Sequence, residues 1–193
     1  MKTHLRKEKI ISFLKELTIV TTGVLIALVI SNFKENNQVR KYHKASIETI
    51  NSEIEANYSQ IKGVIEKQMK LYDTLIKYGN TPMVIGEIFG KTGGLKGSEL
   101  SNTGLELYKR NQINSIDFEM IYMLNEMNRT SKIIETKLDR LVDFVFLNIL
   151  DNSKENKMVV SLHIQDVLNS EKYLLKLYKD YIDKNIETEN NKT

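Results

Sequence analysis

The chain contains no cysteine and no tryptophan, a single proline at Pro82, and three histidines. Without cysteine there are no disulfides, no thiolate metal sites and no sulfur nucleophile, and the compartment is left open, since an oxidising one does not require cysteine. The histidines, His4, His43 and His163, belong to separate segments of the sequence, so no three-histidine metal site is expected. No Glu-x-x-His pair occurs, which argues against the carboxylate-bridged di-iron centres of helical bundles. Gly90-Lys91-Thr92 lacks the upstream glycine spacing that a nucleotide loop requires, and Gly93, Gly94 and Gly97 have no preceding strand pattern that would make them a phosphate cradle.

Outside the amino end neither basic nor acidic residues are in excess. Residues 1–16 hold Lys2, Arg6, Lys7, Lys9 and Lys15 against Glu8 and Glu16, which accounts for the whole net charge of +3. The residues after Phe33 balance, so no basic stripe is available to track phosphates and no nucleic-acid partner is expected.

What the sequence does have is one stretch free of ionisable side chains, Leu17 to Phe33, between Lys15-Glu16 and Lys34-Glu35. At about 1.5 Å per residue such a helix covers roughly 25 Å, close to the hydrocarbon thickness of a bilayer once flanking lysines reach the headgroups. Thr18, Thr21, Thr22 and Ser31 weaken the apolar signal, but their hydroxyls can bond back to helix carbonyls. The alternatives are a buried helix of a soluble protein and a cleaved leader. Ala27-Leu28-Val29 and Val29-Ile30-Ser31 make poor processing sites, so retention is favoured. The partition expected is a basic cytoplasmic tail at 1–16, a transmembrane helix at 17–33, a helical domain at 34–186 and a disordered tail at 187–193. The basic tail predicts a cytoplasmic amino-terminus and a periplasmic domain, while Lys34, Arg40, Lys41 and Lys44 count against that orientation. Within the segment Gly23, Ala27 and Ser31 recur at four-residue steps, a small-residue face on which a second transmembrane helix can pack.

Few helix breakers and many Lys, Glu, Leu and Ile predict an all-α domain. Ile47, Ile50, Ile54, Tyr58, Ile61, Val64, Ile65, Leu71, Tyr72, Leu75 and Ile76 form one stripe on a long helix that can continue directly from the anchor. Gly79-Asn80-Thr81-Pro82 ends it, with Gly79 suited to a left-handed cap. Residues 79–102 hold Gly86, Gly90, Gly93, Gly94 and Gly97, so an irregular loop is expected. Its apolar residues Met83, Val84, Ile85, Ile88 and Phe89 suit either a partner-binding loop or a crossover tucked against the core. A short helix from Thr103 to Lys109 precedes a long one capped by Asn114 or Ser115, with its stripe running from Ile116 to Leu150. Asp151 to Lys157 reads as a polar turn, and a last helix runs from about Val160 to Ile186. Together these make an antiparallel bundle of three long helices and one short one.

Acidic pairs Glu53 with Glu55, and Asp139 with Asp143, read as solvated exterior. Asn57-Tyr-Ser59, Asn128-Arg-Thr130 and Asn191-Lys-Thr193 match the glycan-acceptor pattern, which arises readily by chance in so Asn- and Lys-rich a chain. Tyr108, Lys109 and Arg110 are the group to mutate first under an enzyme reading, but no catalytic constellation, metal site or cofactor is expected.

The segment from Glu16 to Glu35, with its Gly-Val-Leu-Ile-Ala-Leu core followed by Asn32 and Phe33, resembles the start of an uncharacterised family of membrane-anchored helical proteins of Bacteroidota. Leu100-Ser-Asn-Thr-Gly-Leu-Glu-Leu-Tyr and Ile121-Tyr-Met-Leu-Asn are similar to that family's short-helix and second-long-helix regions, and Phe33 stands where tryptophan is usual. The resemblance implies a single-pass envelope protein and supplies no reaction. The functional expectation is a non-catalytic interaction or scaffolding module whose partners are the lipid bilayer and either another protein or further copies of itself. The alternative is a small-molecule-sensing ectodomain that signals through a separate membrane partner.

Overall fold

The computed structural model describes residues 2–111 and 118–186, and these are mainly helical, with no strand among them. Five α-helices follow in order: α1 Lys2–Tyr78, α2 Ile85–Gly90, α3 Thr103–Asn111, α4 Phe118–Leu147 and α5 Lys154–Tyr181, the last followed by a π-helical turn at Ile182–Ile186. The chain divides into two compact units, Met1–Ala45 and Ser46–Thr193. Ser46 is also the first buried side chain described on α1.

In the first unit every described side chain from Phe13 to Asn36 is exposed. The hydroxyls of Thr18 and Thr21 donate to Leu14 O at 2.8 Å and Leu17 O at 2.7 Å, the back-bonding that lets threonine sit in an apolar helix.

In the second unit two apolar clusters form the core. One joins Ile50, Ile54 and Ile61 of α1 to Leu124, Met127 and Ile134 of α4 and Leu174 and Tyr178 of α5, with Leu105 and Tyr108 of α3 closing it. The other joins Leu71 and Leu75 to Leu141, Val145, Val160 and Ile164, with Ile85, Ile88 and Phe89 of α2 closing it. Each short helix thus seals one cluster. Cross-helix bonds join the long helices. Lys137 Nζ meets Asp166 at 2.7 Å, the Tyr173 hydroxyl meets Glu126 at 3.4 Å, and Lys184 pairs with Glu119. Tyr181 with Asn51 and Tyr178 with Asn57 join α5 to α1, and Lys157 joins it to Thr81 just past the end of α1.

Four expectations need correction. The stretch 79–102 is not irregular throughout, since Ile85–Gly90 is helical. Its first N–H groups are satisfied from outside, Ile85 N donating to Asp151 O at 2.9 Å and Gly86 N to Ile149 O at 2.8 Å. Gly86 permits this approach, because a Cβ there would lie 2.8 Å from Ile149 Cγ1 and 3.1 Å from its carbonyl. Second, α1 does stop at Tyr78, yet Gly79 is not left-handed; among the described residues positive φ occurs only at Gly93 and Gly94. The end is closed instead by Thr81, whose N–H and Oγ1 both donate to Tyr78 O, at 3.1 and 2.8 Å. Third, α5 starts at Lys154, several residues before Val160, because Ser153 caps it by accepting Asn156 N at 3.3 Å. Fourth, Leu150 is 83 % exposed and Ile76 58 % exposed, so both leave the core stripe. The expected caps Asn114 and Ser115, the stripe residue Ile116 and the tail 187–193 lie outside the described residues.

Candidate functional site: the apolar segment and a buried polar seam

The apolar segment is legible residue by residue. From Leu17 to Phe33 its large side chains are half to three-quarters exposed, Ile19 at 71 % and Val29 at 67 %. Isolated exposed leucines are ordinary on a protein surface, but a whole uncharged helical stretch is not. One helix among the described residues is therefore long and apolar enough to cross a membrane, near the amino-terminus. Gly23, Ala27 and Ser31 lie exposed on it, and nothing comes within 4 Å of a Cβ built on Gly23.

The second feature is one that sequence reasoning missed. Along α1, Glu53, Asn57 and Gln68 hold the segment that leads from α2 into α3. The Glu53 carboxylate accepts Ser101 Oγ at 2.7 Å, Thr103 N at 3.1 Å and Gly104 N at 2.8 Å, so it caps the positive end of α3 from another helix. Gly104 allows this, since a Cβ there would meet Ile50 Cγ1 at 2.9 Å and Glu53 Oε2 at 3.0 Å. Asn57, 3 % exposed, donates to Ser101 O at 2.7 Å and accepts Ser101 N at 3.1 Å, imitating a strand pairing with one side chain. Its amide also reaches the Tyr178 hydroxyl at 3.4 Å. Burial raises that phenol above the ordinary tyrosine range, with the bond from Asn57 opposing.

Gln68 is 1 % exposed and Glu171, on α5, is fully buried. The Gln68 amide nitrogen donates to Lys96 O and to Glu171 Oε1, both at 2.9 Å. Glu171 Oε2 and Gln68 Oε1 make no hydrogen bond with any described residue. Burial pushes the Glu171 carboxyl up to about 7, and the Gln68 bond opposes that rise. A third buried polar group, the Lys157 ammonium, donates to Thr81 O at 2.6 Å just past the end of α1.

Ile85 and Ile88 are fully buried and Phe89 is 8 % exposed, with Met83 packed against the same cluster and Val84 half-buried. These side chains close the core as a crossover would, so in this fold the large ones present no free surface to a partner. Gly93 and Gly94 serve the turn after α2, Gly94 N donating to Phe89 O at 2.9 Å with φ +82. Glu53 is a cap rather than solvated exterior, while Glu55, Asp139 and Asp143 are exposed. Asn57 cannot serve as a glycan acceptor in the fold because its amide is buried and bonded. Asn191 lies outside the described residues. Tyr108 is fully buried in the α3 cluster, and the side chains of Lys109 and Arg110 are outside those described. His163 packs on Phe144, ring centroids 5.7 Å apart. Polar residues at core spacing, such as Asn57 and Gln68 beside Ile54, Ile61 and Ile65, are the sequence signal from which the seam can be found.

No protein-family model matches the chain, and no curated protein or solved structure matches it.

Proposed function

We propose that the chain is a non-catalytic, single-pass membrane protein of the bacterial envelope, its amino-terminus cytoplasmic and its helical bundle, with α5 antiparallel to α1 and α4, periplasmic, acting as an interaction or scaffolding subunit. The observation that carries the reading is the exposed, uncharged run Leu17–Phe33, which water tolerates poorly and hydrocarbon accepts. The basic residues ahead of it support the orientation, and the small-residue face at Gly23, Ala27 and Ser31 supports self-association through the anchor. Carbonate washing of vesicles should leave the full-length chain in the pellet, and protease added to intact spheroplasts should remove its carboxyl portion. A chain released by carbonate, or spared by protease, overturns the membrane placement or the orientation respectively. Crosslinking in membranes should trap a partner or a second copy, and a chain that stays alone at native abundance overturns the scaffolding role.

A sensing ectodomain is the second reading. The observation in its favour is an open groove of about 410 Å³ lined by Ser98, Glu99, Asn128, Lys132, Glu135 and Asp139 among others, within the size range of small-molecule sites. Saturable thermal stabilisation of the detergent-solubilised chain by one metabolite class favours sensing over scaffolding.

A further inference from the structure

The strap between α2 and α3, residues 91–102, has no helical or strand ladder of its own. It is held by side chains of α1. Asn57 and Glu53 fasten Ser101, and Gln68 fastens Lys96 O. The Gln68 fastening differs from the others because the same amide nitrogen also serves Glu171. On α5, Glu171 sits between Leu168 of one apolar cluster and Leu174 of the other, with no water-accessible surface.

No charged group among the described residues compensates it. On α1 the buried neighbours of Gln68 are Val64, Ile65 and Leu71, while Glu66, Lys67 and Lys70 are exposed. The strap offers the Lys96 carbonyl, and Lys96 and Glu99 are themselves exposed. The buried positions of α4, from Leu124 to Val145, carry no ionisable side chain; Lys132 and Glu135 are exposed, and Lys137 is paired with Asp166. On α5, Lys172 is exposed, and Lys157 lies about four helical turns away with its ammonium on Thr81 O. Tyr178, two turns along, is the nearest buried titratable group on α5 and stays a neutral phenol.

We propose that Gln68 and Glu171 form a protonation-controlled latch: while the Glu171 carboxyl is neutral the strap 91–102 stays down on α1, and loss of that proton lifts it. A carboxylate created here has one hydrogen bond and no cation, so it draws water in. Water enters by the element with the fewest internal bonds, which is the strap rather than α1 or α5. Lifting the strap also costs little backbone rearrangement, since Gly93 and Gly94 already sit at φ +78 and +82 at its α2 end. The raised carboxyl, at about 7, places the change near neutral pH.

The absence of cysteine makes the test direct. Ser98 lies on the strap and is half-buried, but its Oγ is shielded and without a hydrogen-bond partner, so Ser98→Cys places one shielded thiol on the strap's inner side. Its maleimide labelling rate in the full chain in detergent is divided by that of a second chain carrying Asn80→Cys at an exposed site, which removes the thiol's own pH dependence. The ratio should rise about tenfold or more from pH 6 to pH 8.5, and should stay flat when Glu171→Gln is added. A flat ratio with Glu171 present, or an equal rise in the chain carrying Glu171→Gln, overturns the latch. Infrared spectroscopy gives a readout that needs no change at Glu171: a protonated-carboxyl band present at pH 6 should vanish over the interval in which the ratio rises. A band missing at pH 6, or one that persists while the ratio rises, overturns it equally.

Discussion

The segment Leu17–Phe33 and the unit that begins at Ser46 are built from the same isoleucine, leucine and valine side chains on helices, and they use them in opposite ways. Ile19 and Val29 are 71 % and 67 % exposed, while Ile61 and Ile164 are fully buried. In the first region the neighbour we propose is lipid, which asks for no preferred face and no packing partner within the described chain. In the second the neighbour is the chain itself, so every interior position has a shape to fill and every interior polar group needs a partner. A methyl group removed from the first is therefore a change of solvent contact, and from the second a cavity.

The largest expected effect breaks that comparison on the core side. Leu141→Ala should destabilise the helical unit by about 2–5 kcal/mol in denaturant melts of the detergent-solubilised chain, whereas Leu28→Ala should leave the same melt unchanged. The titration of Glu171 comes next. Its folded value, about 7, lies above its ordinary 4.5, so the folded state binds the extra proton between those values. Stability is full below pH 4.5, falls as pH rises toward 7 and is level beyond, a loss on the order of 3 kcal/mol. Glu171→Gln should flatten that slope, and a melt series from about pH 4.5 to 8.5 checks it.

A comparable effect is expected on the lipid side. Leu25→Arg places a charge near the centre of the apolar run, a change disfavoured by about 2.5–3.5 kcal/mol for membrane insertion. It should move a measurable fraction of the chain into the carbonate wash, while Ile76→Arg, at a site 58 % exposed in the helical unit, should not.

Glycines sharpen the contrast at smaller amplitude. Gly104→Ala drives a Cβ to within 2.9 Å of Ile50 and 3.0 Å of Glu53, and should cost about 1–3 kcal/mol. Gly23→Ala meets nothing within 4 Å in the described chain, so the melt of the helical unit should not move. Any effect of Gly23→Ala on crosslinked dimer yield would then report on the anchor face alone. The smallest expected change is Glu53→Ala, which removes the cap of α3 at about 0.5–2 kcal/mol and should raise hydrogen exchange in 101–108 ahead of other segments.

Much of this molecule is decided by sequence pattern. The uncharged run, the continuous α1, its stop at Tyr78, the short α3 from Thr103 and the stripes of α4 and α5 all follow from local rules: hydropathy, three- and four-residue spacing, and the punctuation of Gly79 and Pro82. The start of α5 is also local, written in Ser153, and is easily missed because the charged run after it reads as a turn. Other features depend on residues far apart in the chain. The helix Ile85–Gly90 forms because carbonyls of Ile149 and Asp151 receive its first N–H groups, and Glu53 becomes a cap only because Gly104 lets α3 approach. Gln68 and Glu171, 103 residues apart, look like surface side chains in the sequence; only packing α1 against α5 encloses them and denies the carboxyl its water. Periodicity along one helix states which face is apolar. It does not state which polar side chain will be trapped when that face meets another, and that choice was made by the tertiary structure.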